Sequence, residues 1–283
     1  MKSIALYVNT EREQARETAQ RVTQIARERG IAIALCGAEG NGLDFVEAGC
    51  DLDMADLLIT VGGDGTLLRG TRMVHERGIP ILGVNTGRLG FLTEVEANDE
   101  GFAALARVLD GDVAYDERVA LHAQVAGQHE MHFALNEVVV RRTAQARLAP
   151  YGLVLDGELV ARLPSDGVMV ATPTGSTAYW LSVGGPIIHP AVDALGIAAL
   201  LPHTLFARPL VVPSDATIEI TCDGELTGAN LETDGIVAAD LRAGDRVLIR
   251  RAAIPVRFAR VRSGAFFERL EQKLQWGVPI KSR

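Results

Sequence analysis

Leu57–Leu68, LLITVGGDGTLL, decides how the chain folds. An apolar run, Leu57–Val61, stops at two glycines. An aspartate, a third glycine and a threonine follow, and apolar residues return at Leu67, Leu68, Met73 and Val74. The run reads as a buried strand and the later residues as an amphipathic helix. Strand, glycine turn and helix start set backbone N–H groups and the positive end of a helix against an anion, which makes Gly62–Thr66 a phosphate cradle. An acid inside such a turn repels phosphate unless a metal or a proton transfer employs it, so Asp64 reads as a base. An ordinary Asp-Gly turn is the competing reading; the buried strand before it favours phosphate chemistry.

The flanking sequence extends this pattern. Ile4–Val8 is a short apolar run closed by Asn9 and Thr10, which are suited to capping a helix over Glu11–Arg29. Gly30 ends that helix, and Ile31–Leu35 and Ile79–Val84 read as further strands. Strands alternating with helices imply a parallel sheet, with ligands gathering at the carboxyl ends of its strands. Asn85–Phe91, NTGRLGF, falls at such an end, ahead of a helix over Asn98–Leu109.

After Asp110 the texture changes. Short apolar or alternating runs follow at Val119–Val125, His132–Val140, Gly152–Leu155, Leu159–Leu163, Gly167–Ala171, Ile197–Leu200, Pro209–Val212, Ala216–Thr221, Gly235–Ala238 and Arg246–Ile249. Turn residues divide them at fairly even intervals, the pattern of a β-sandwich. Only Gly175–Val183 looks helical within it, and Ala265–Trp276 is an amphipathic helix expected to pack back on the first domain. The expected division is an α/β domain over 1–114, rejoined by 262–283, and a sandwich over 115–261.

Composition narrows the chemistry. The 283 residues carry a formal charge of −8, which argues against broad nucleic-acid or membrane binding, and no transmembrane run or signal pattern is seen. Three widely spaced cysteines, Cys36, Cys50 and Cys222, suit thiols in a reducing cytoplasm. Lysine occurs only at Lys2, Lys273 and Lys281, so no central lysine serves a P-loop or a Schiff base. Arginine and Mg²⁺ must supply the cationic chemistry. Arg69, one helical turn past Thr66, is placed to reach a phosphate. His129 and His132 lack companions for a resident metal site.

Two more stretches carry candidates. Asn136–Glu137 interrupts the apolar run ALNEVVV, and a buried glutamate needs a partner; a ribose diol or an amide matches the pair. Pro164–Pro190 packs Asp166, Thr172, Thr174, Ser176, Thr177, Tyr179 and Ser182 into one turn-rich stretch, with Tyr179 and Trp180 offering rings for stacking.

In order and spacing these segments resemble the NAD kinases. The resemblance rests on GGDGT at Gly62–Thr66, NTGRLGF at Asn85–Phe91, NE at Asn136–Glu137, DGVMVATPTGSTAYWLSVGGP at Asp166–Pro186 and LLPHTLFARPLVV at Leu200–Val212. GGDGT alone is shared with diacylglycerol, sphingosine and phosphofructokinase-type enzymes; TPTGSTAY is far more specific. The resemblance implies an α/β nucleotide-binding domain followed by a β-sandwich, and ATP-dependent phosphorylation of the 2′-hydroxyl on the adenosine ribose of NAD, with Mg²⁺ or another divalent cation accompanying ATP. It makes Asp64 the proton acceptor and places Gly62, Gly63, Gly65 and Thr66 on the ATP phosphates. It puts Asp64, Gly65, Asn136, Glu137, Asp166, Thr174, Thr177, Ala178, Tyr179 and Ser182 against NAD, brings Arg147 toward the dinucleotide and Phe91 near the adenine, and implies a homodimer or homotetramer. Two positions depart from the family's pattern: Pro164 stands where some relatives carry an arginine, and Ile236 where glutamine is frequent. Both bear on NAD against NADH, not on the reaction. The alternatives are a lipid or sugar kinase of the wider GGDGT group, which leaves TPTGSTAY without a purpose, and a non-catalytic pyridine-nucleotide sensor, which leaves Asp64 without one.

Overall fold

The computed structural model describes residues 1–38, 43, 52–87, 90–143, 149–204, 207–223, 228–261 and 266–277. The chain forms two compact units, Met1–Glu117 with Val256–Arg283, and Arg118–Pro255. In chain order the first contains β1 (Ser3–Val8), α1 (Glu13–Arg27), β2 (Ala32–Ala38), β3 (Leu57–Gly62), α2 (Asp64–Val74), β4 (Ile81–Asn85), β5 (Val95–Glu96), α3 (Asp99–Leu109) and β6 (Ala114–Arg118). The second contains β7 (Leu121–Val125), β8 (His132–Ala134), β9 (Glu137–Arg142), β10 (Ala149–Leu155), β11 (Glu158–Ser165), β12 (Gly167–Ala171), α4 (Tyr179–Ser182), β13 (Ala194–Leu200), β14 (Leu210–Pro213), β15 (Ile218–Cys222), β16 (Ala229–Thr233), β17 (Ile236–Leu241) and β18 (Arg246–Arg251). The chain then returns to the first unit with β19 (Val256–Arg260) and α5 (Phe266–Leu274).

The first unit is built on a seven-stranded sheet of order β2-β1-β3-β4-β19-β6, with β5 beside β4. The β1–β2, β1–β3, β3–β4 and β4–β19 pairs are all parallel. Every residue of β3 and β4 is buried, which is why both strands read as unbroken apolar runs and not as alternating ones. α1 turns Ala15, Ala19, Val22, Ile25 and Ala26 onto the sheet. Gly30 ends it with φ +67°, a left-handed conformation natural to glycine. Asn9 and Thr10 do not cap α1; its N-cap is Arg12, with no side-chain capping bond. Asn98 does cap α3, accepting from the Gly101 N–H at 2.8 Å. The segment of β19, with no strand expected there, was counted with the sandwich up to a junction at 262. It lies in the parallel sheet instead, because Phe258 pairs with Ile81 and Ala259 joins the first unit's core.

The second unit is a sandwich of two six-stranded sheets, β11-β10-β15-β18-β7-β8 and β14-β13-β12-β9-β16-β17. Leu121, Ala123, Tyr151, Ile218, Ile220, Val247 and Ile249 of one sheet meet Val138, Val140, Val168, Val170, Leu195 and Leu231 of the other in a single core. The alternate residues Val139, Met169, Ala171, Ala198 and Leu200 face away from that core and are covered by Trp180. Both faces of β9 and β12 are thus occupied. His132–Val140, read as one strand, is two: β8 ends at Ala134 and β9 begins at Glu137. Cys36 is disulfide-bonded and not a free thiol, whereas Cys222 is a buried free thiol.

Candidate active site

In the first unit the glycine turn lies where β3 hands over to α2. Gly63 is the N-cap in extended backbone, φ −110° and ψ −169°, and Asp64 is the first helical residue. Gly62 admits no side chain, because a Cβ there would lie 2.3 Å from the Thr66 hydroxyl oxygen. Thr66 is buried beneath the turn, so any share it takes in holding phosphate comes through its backbone; Gly65 and Arg69, four residues apart, lie on the exposed side. The Asp64 carboxylate is not a loose turn side chain. Its Oδ2 accepts from the Phe91 N–H at 2.8 Å, and its Oδ1 from the Leu92 and Thr93 N–H groups, each at 3.2 Å. Three successive amides fix its direction, and Oδ2, with a single such bond, keeps room to accept from a substrate hydroxyl.

Gly90 stands against the same carboxylate, where a Cβ would fall 1.8 Å from Oδ1. Gly62 is thus required by Thr66 and Gly90 by Asp64, whereas Gly63 has open space where a side chain would lie. The Thr86 N–H donates to the Gly62 carbonyl at 3.1 Å and the Asn9 N–H to the Val61 carbonyl at 3.0 Å, which draws both loops to the turn. Asn9 Oδ1 and Thr86 Oγ1 are buried with no hydrogen-bond partner. Buried orphans are rare, and these two flank Gly62 at the carboxyl ends of β1 and β4. Thr86 lies within the NTGRLGF stretch, whereas Asn9, expected as a helix cap, has this place instead. Their signal was their place at strand ends.

In the second unit Asn136 and Glu137 are 8% and 6% exposed. The Asp234 carboxylate accepts from the N–H groups of Leu135, Asn136 and Glu137 at 3.1, 2.7 and 3.3 Å. With their backbone held this way, Asn136 Oδ1 and Glu137 Oε2 remain without partners. Burial, and then the neighbouring Asp234 charge, push the Glu137 carboxyl up to about 8. The pair is thus a pre-set donor and acceptor group awaiting a polar ligand. The TPTGST turn closes on the same strand: the Thr172 N–H donates to the Asn136 carbonyl at 2.8 Å, and its hydroxyl to the Leu135 carbonyl at 2.6 Å. A Cβ on Gly175 would lie 2.1 Å from the Asn136 carbonyl oxygen. Thr174, on this turn, accepts from Arg118 at 3.4 Å.

The expected helix over Gly175–Val183 is a 3-10 turn, Thr174–Thr177, followed by the single turn α4. Trp180 is fully buried, donating its indole N–H to the Pro186 carbonyl at 2.8 Å, and is not available for stacking on a ligand. Tyr179 remains exposed. Asp166, paired with Arg142 at 2.9 Å, joins Tyr179, Ser182, Arg141 and Leu200 around a cavity of about 630 Å³. The structure thus gathers Asp166, Tyr179 and Ser182 at one cavity, and Asn136, Glu137 and Thr174 at the turn. Thr177 and Ala178 link the two along the chain. Phe91 enters through its backbone N–H to Asp64. Arg147 lies outside the described residues. Among the described residues, no three or more of His, Cys, Asp and Glu are grouped to hold a metal.

Residues 4–113 match the model of the ATP-NAD kinase N-terminal domain, and residues 135–261 that of the ATP-NAD kinase C-terminal domain. The NAD kinase of Heliobacterium modesticaldum is 38% identical over 283 residues, covering 98% of this chain and 100% of its own. That of Koribacter versatilis is 44% identical over 225 residues, covering 78% of each. Among solved structures, the yeast NADH kinase complexed with NADH superposes with a TM-score of 0.88 at 24% identity, covering 100% of this chain and 90% of that one. An NAD kinase from Archaeoglobus fulgidus in complex with ATP gives 0.75 at 24% identity, covering 97% and 99%. The two structural likenesses establish the shared fold.

Proposed function

This chain belongs to the ATP-NAD kinase family, and we propose that it transfers the γ-phosphoryl group of ATP to the 2′-hydroxyl of the adenosine ribose of NAD, giving NADP. The observation that carries the reading is Asp64, a carboxylate at the first turn of α2 beside a glycine cradle, its direction fixed by three backbone amides. Phosphoryl transfer passes through a loose transition state, so the protein mainly positions reactants and offsets charge. Backbone N–H groups of Gly62, Gly63, Gly65 and Thr66 take the ATP phosphates, with Arg69 on the same exposed helix side. Mg²⁺ enters with ATP as part of the substrate. Asp64 accepts the hydroxyl proton as the oxygen attacks phosphorus.

The second unit holds the dinucleotide. Asn136 and Glu137 take ribose hydroxyls or the carboxamide, with their backbone already fixed by Asp234. Asp166, Tyr179 and Ser182 line the cavity of about 630 Å³, and Thr174, Thr177 and Ala178 run between it and that pair. The surroundings in which this works are the cytoplasm, and the working form a homodimer or homotetramer.

The test is incubation with NAD, ATP and Mg²⁺ and detection of NADP, with sphingoid base, diacylglycerol and sugar phosphates as competing acceptors and a parallel arm on NADH. NADP formation with no labelled lipid or sugar product supports the reading; a labelled lipid or sugar overturns it. Asp64→Asn is expected to fold, to bind NAD with unchanged affinity and to lose on the order of 10²–10⁴ in kcat. Full activity in that variant removes Asp64 from the chemistry.

A further inference from the structure

We propose that Arg269, on α5, is a positioning residue for Asp64, acting through the peptide bond between Phe91 and Leu92, with Glu94 as its anchor; the proposal rests on Asp64 being the base. The Phe91 carbonyl accepts from Arg269 Nη1 at 2.9 Å, while the N–H of the same peptide group, on Leu92, donates to Asp64 Oδ1. The next peptide repeats the arrangement: the Leu92 carbonyl accepts from Arg260 Nη1 at 3.3 Å, and the Thr93 N–H donates to Asp64. A peptide group is planar and rigid. A guanidinium holding its oxygen therefore fixes where its N–H points, and strengthens that N–H as a donor by polarising it.

Glu94 holds both guanidiniums. Its Oε2 meets Arg269 Nη2, and Arg260 Nη1 at 2.9 Å, while Oε1 accepts from the Val261 N–H at 3.0 Å. Their side chains are only 4% (Glu94), 7% (Arg260) and 9% (Arg269) exposed. Burial alone raises the Glu94 carboxyl, but the two arginines and the Val261 N–H together offset it and hold the group below its ordinary range. Buried ion pairs add little net stability over apolar packing. Their use here is directional: charges from α5 and β19 aim two amides at one carboxylate.

Arg269→Lys keeps a cation for Glu94 but has no planar fork to serve the Phe91 carbonyl as well. It is expected to lower kcat roughly 10- to 100-fold while leaving KM for NAD and ATP within about threefold. In an Asp64→Asn background the same substitution is expected to change the residual kcat by less than about twofold, because its effect runs through the missing carboxylate. An equal loss in both backgrounds, or full kcat in Arg269→Lys when Asp64→Asn is inactive, overturns the positioning role and leaves the base intact. Full kcat in Asp64→Asn overturns the base and this inference with it. Should Arg269→Lys not fold, the pair Glu94→Gln/Arg269→Gln, which leaves Arg260 its second carboxylate, Asp116 at 3.4 Å, takes the same measurements with the same expected results.

Discussion

Replacing Glu137 by glutamine should remove a pH dependence that the fold builds into the second unit. The carboxyl is 6% exposed, its Oε2 has no partner, and its own N–H is tied to Asp234. Burial, then the Asp234 charge, raise it from 4.5 to about 8. In the unfolded chain the proton leaves near the lower value, and in the native protein near the higher. Between the two the native state binds the extra proton, so stability falls as pH rises. The Glu137 contribution is complete below the unfolded value and lost as pH passes through about 8. Across that window the loss totals roughly 5 kcal/mol at about 1.36 kcal/mol per pH unit. That is a large share of the roughly 5–15 kcal/mol holding an ordinary domain together. Glutamine has the same reach and no proton to lose. Urea unfolding of the ligand-free protein at about pH 5, 7 and 9, followed through tryptophan fluorescence, measures the difference. The wild type should lose several kcal/mol relative to Glu137→Gln between the lowest and highest pH. Stability curves that stay parallel to within about 1 kcal/mol would refute the reasoning, since the carboxyl would then titrate alike in both states.

Gly90→Ala drives a methyl against Asp64 Oδ1, at 1.8 Å before any relaxation, so the carboxylate must turn out of its amide cradle. Steady-state kinetics should show kcat reduced by about 10²-fold or more, with NAD affinity measured by calorimetry nearly unchanged. Gly175→Ala sets a methyl 2.1 Å from the Asn136 carbonyl, backbone against backbone. It should destabilise the protein by about 1–3 kcal/mol in urea titration and weaken NAD binding by calorimetry, because the turn and the strand must separate.

The two layers of the fold were legible to different degrees. The parallel sheet announced itself because β3 and β4 are buried on both faces and their apolar runs have no gaps. The sandwich strands were legible through alternation, but the break at Leu135–Asn136 was not. Nothing in the run HFALNEVVV says that three successive amides leave the ladder for a carboxylate about a hundred positions on. β19 was missed because Val256–Arg260 carries two arginines, Arg257 and Arg260, and lacks an apolar pattern; its place is set by pairing with β4 and by Glu94. The same holds at the site. Asp64, Gly90 and Thr86 belong to motifs and Asn9 to a strand end, whereas Arg269 and Asp234 act through long-range contacts that leave no local mark. Trp180 was misread for the opposite reason. An aromatic ring beside polar residues looks like a stacking platform, but Gly185 and Gly196 open a slot that its indole fills.

Asp64 and Asp234 solve one problem in opposite senses. Each carboxylate gathers three successive backbone N–H groups, from Phe91 to Thr93 and from Leu135 to Glu137. Amides converging on one point do not face a neighbouring strand, so regular pairing must stop there. β8 accordingly ends at Ala134 and β9 starts at Glu137, and residues 90–93 lie between β4 and β5. At Asp64 the backbone is the holder and the carboxylate the working group; at Asp234 the carboxylate is the holder, and the side chains of Asn136 and Glu137 are left to work. Pre-setting polar groups this way removes the cost of ordering them when the ligand arrives, which is where an enzyme limited by positioning gains most. The two aspartates are therefore expected to fail differently. Loss of Asp64 spares binding and lowers kcat by about 10²–10⁴, whereas loss of Asp234 loosens Asn136 and Glu137, so its first effect is on KM for NAD.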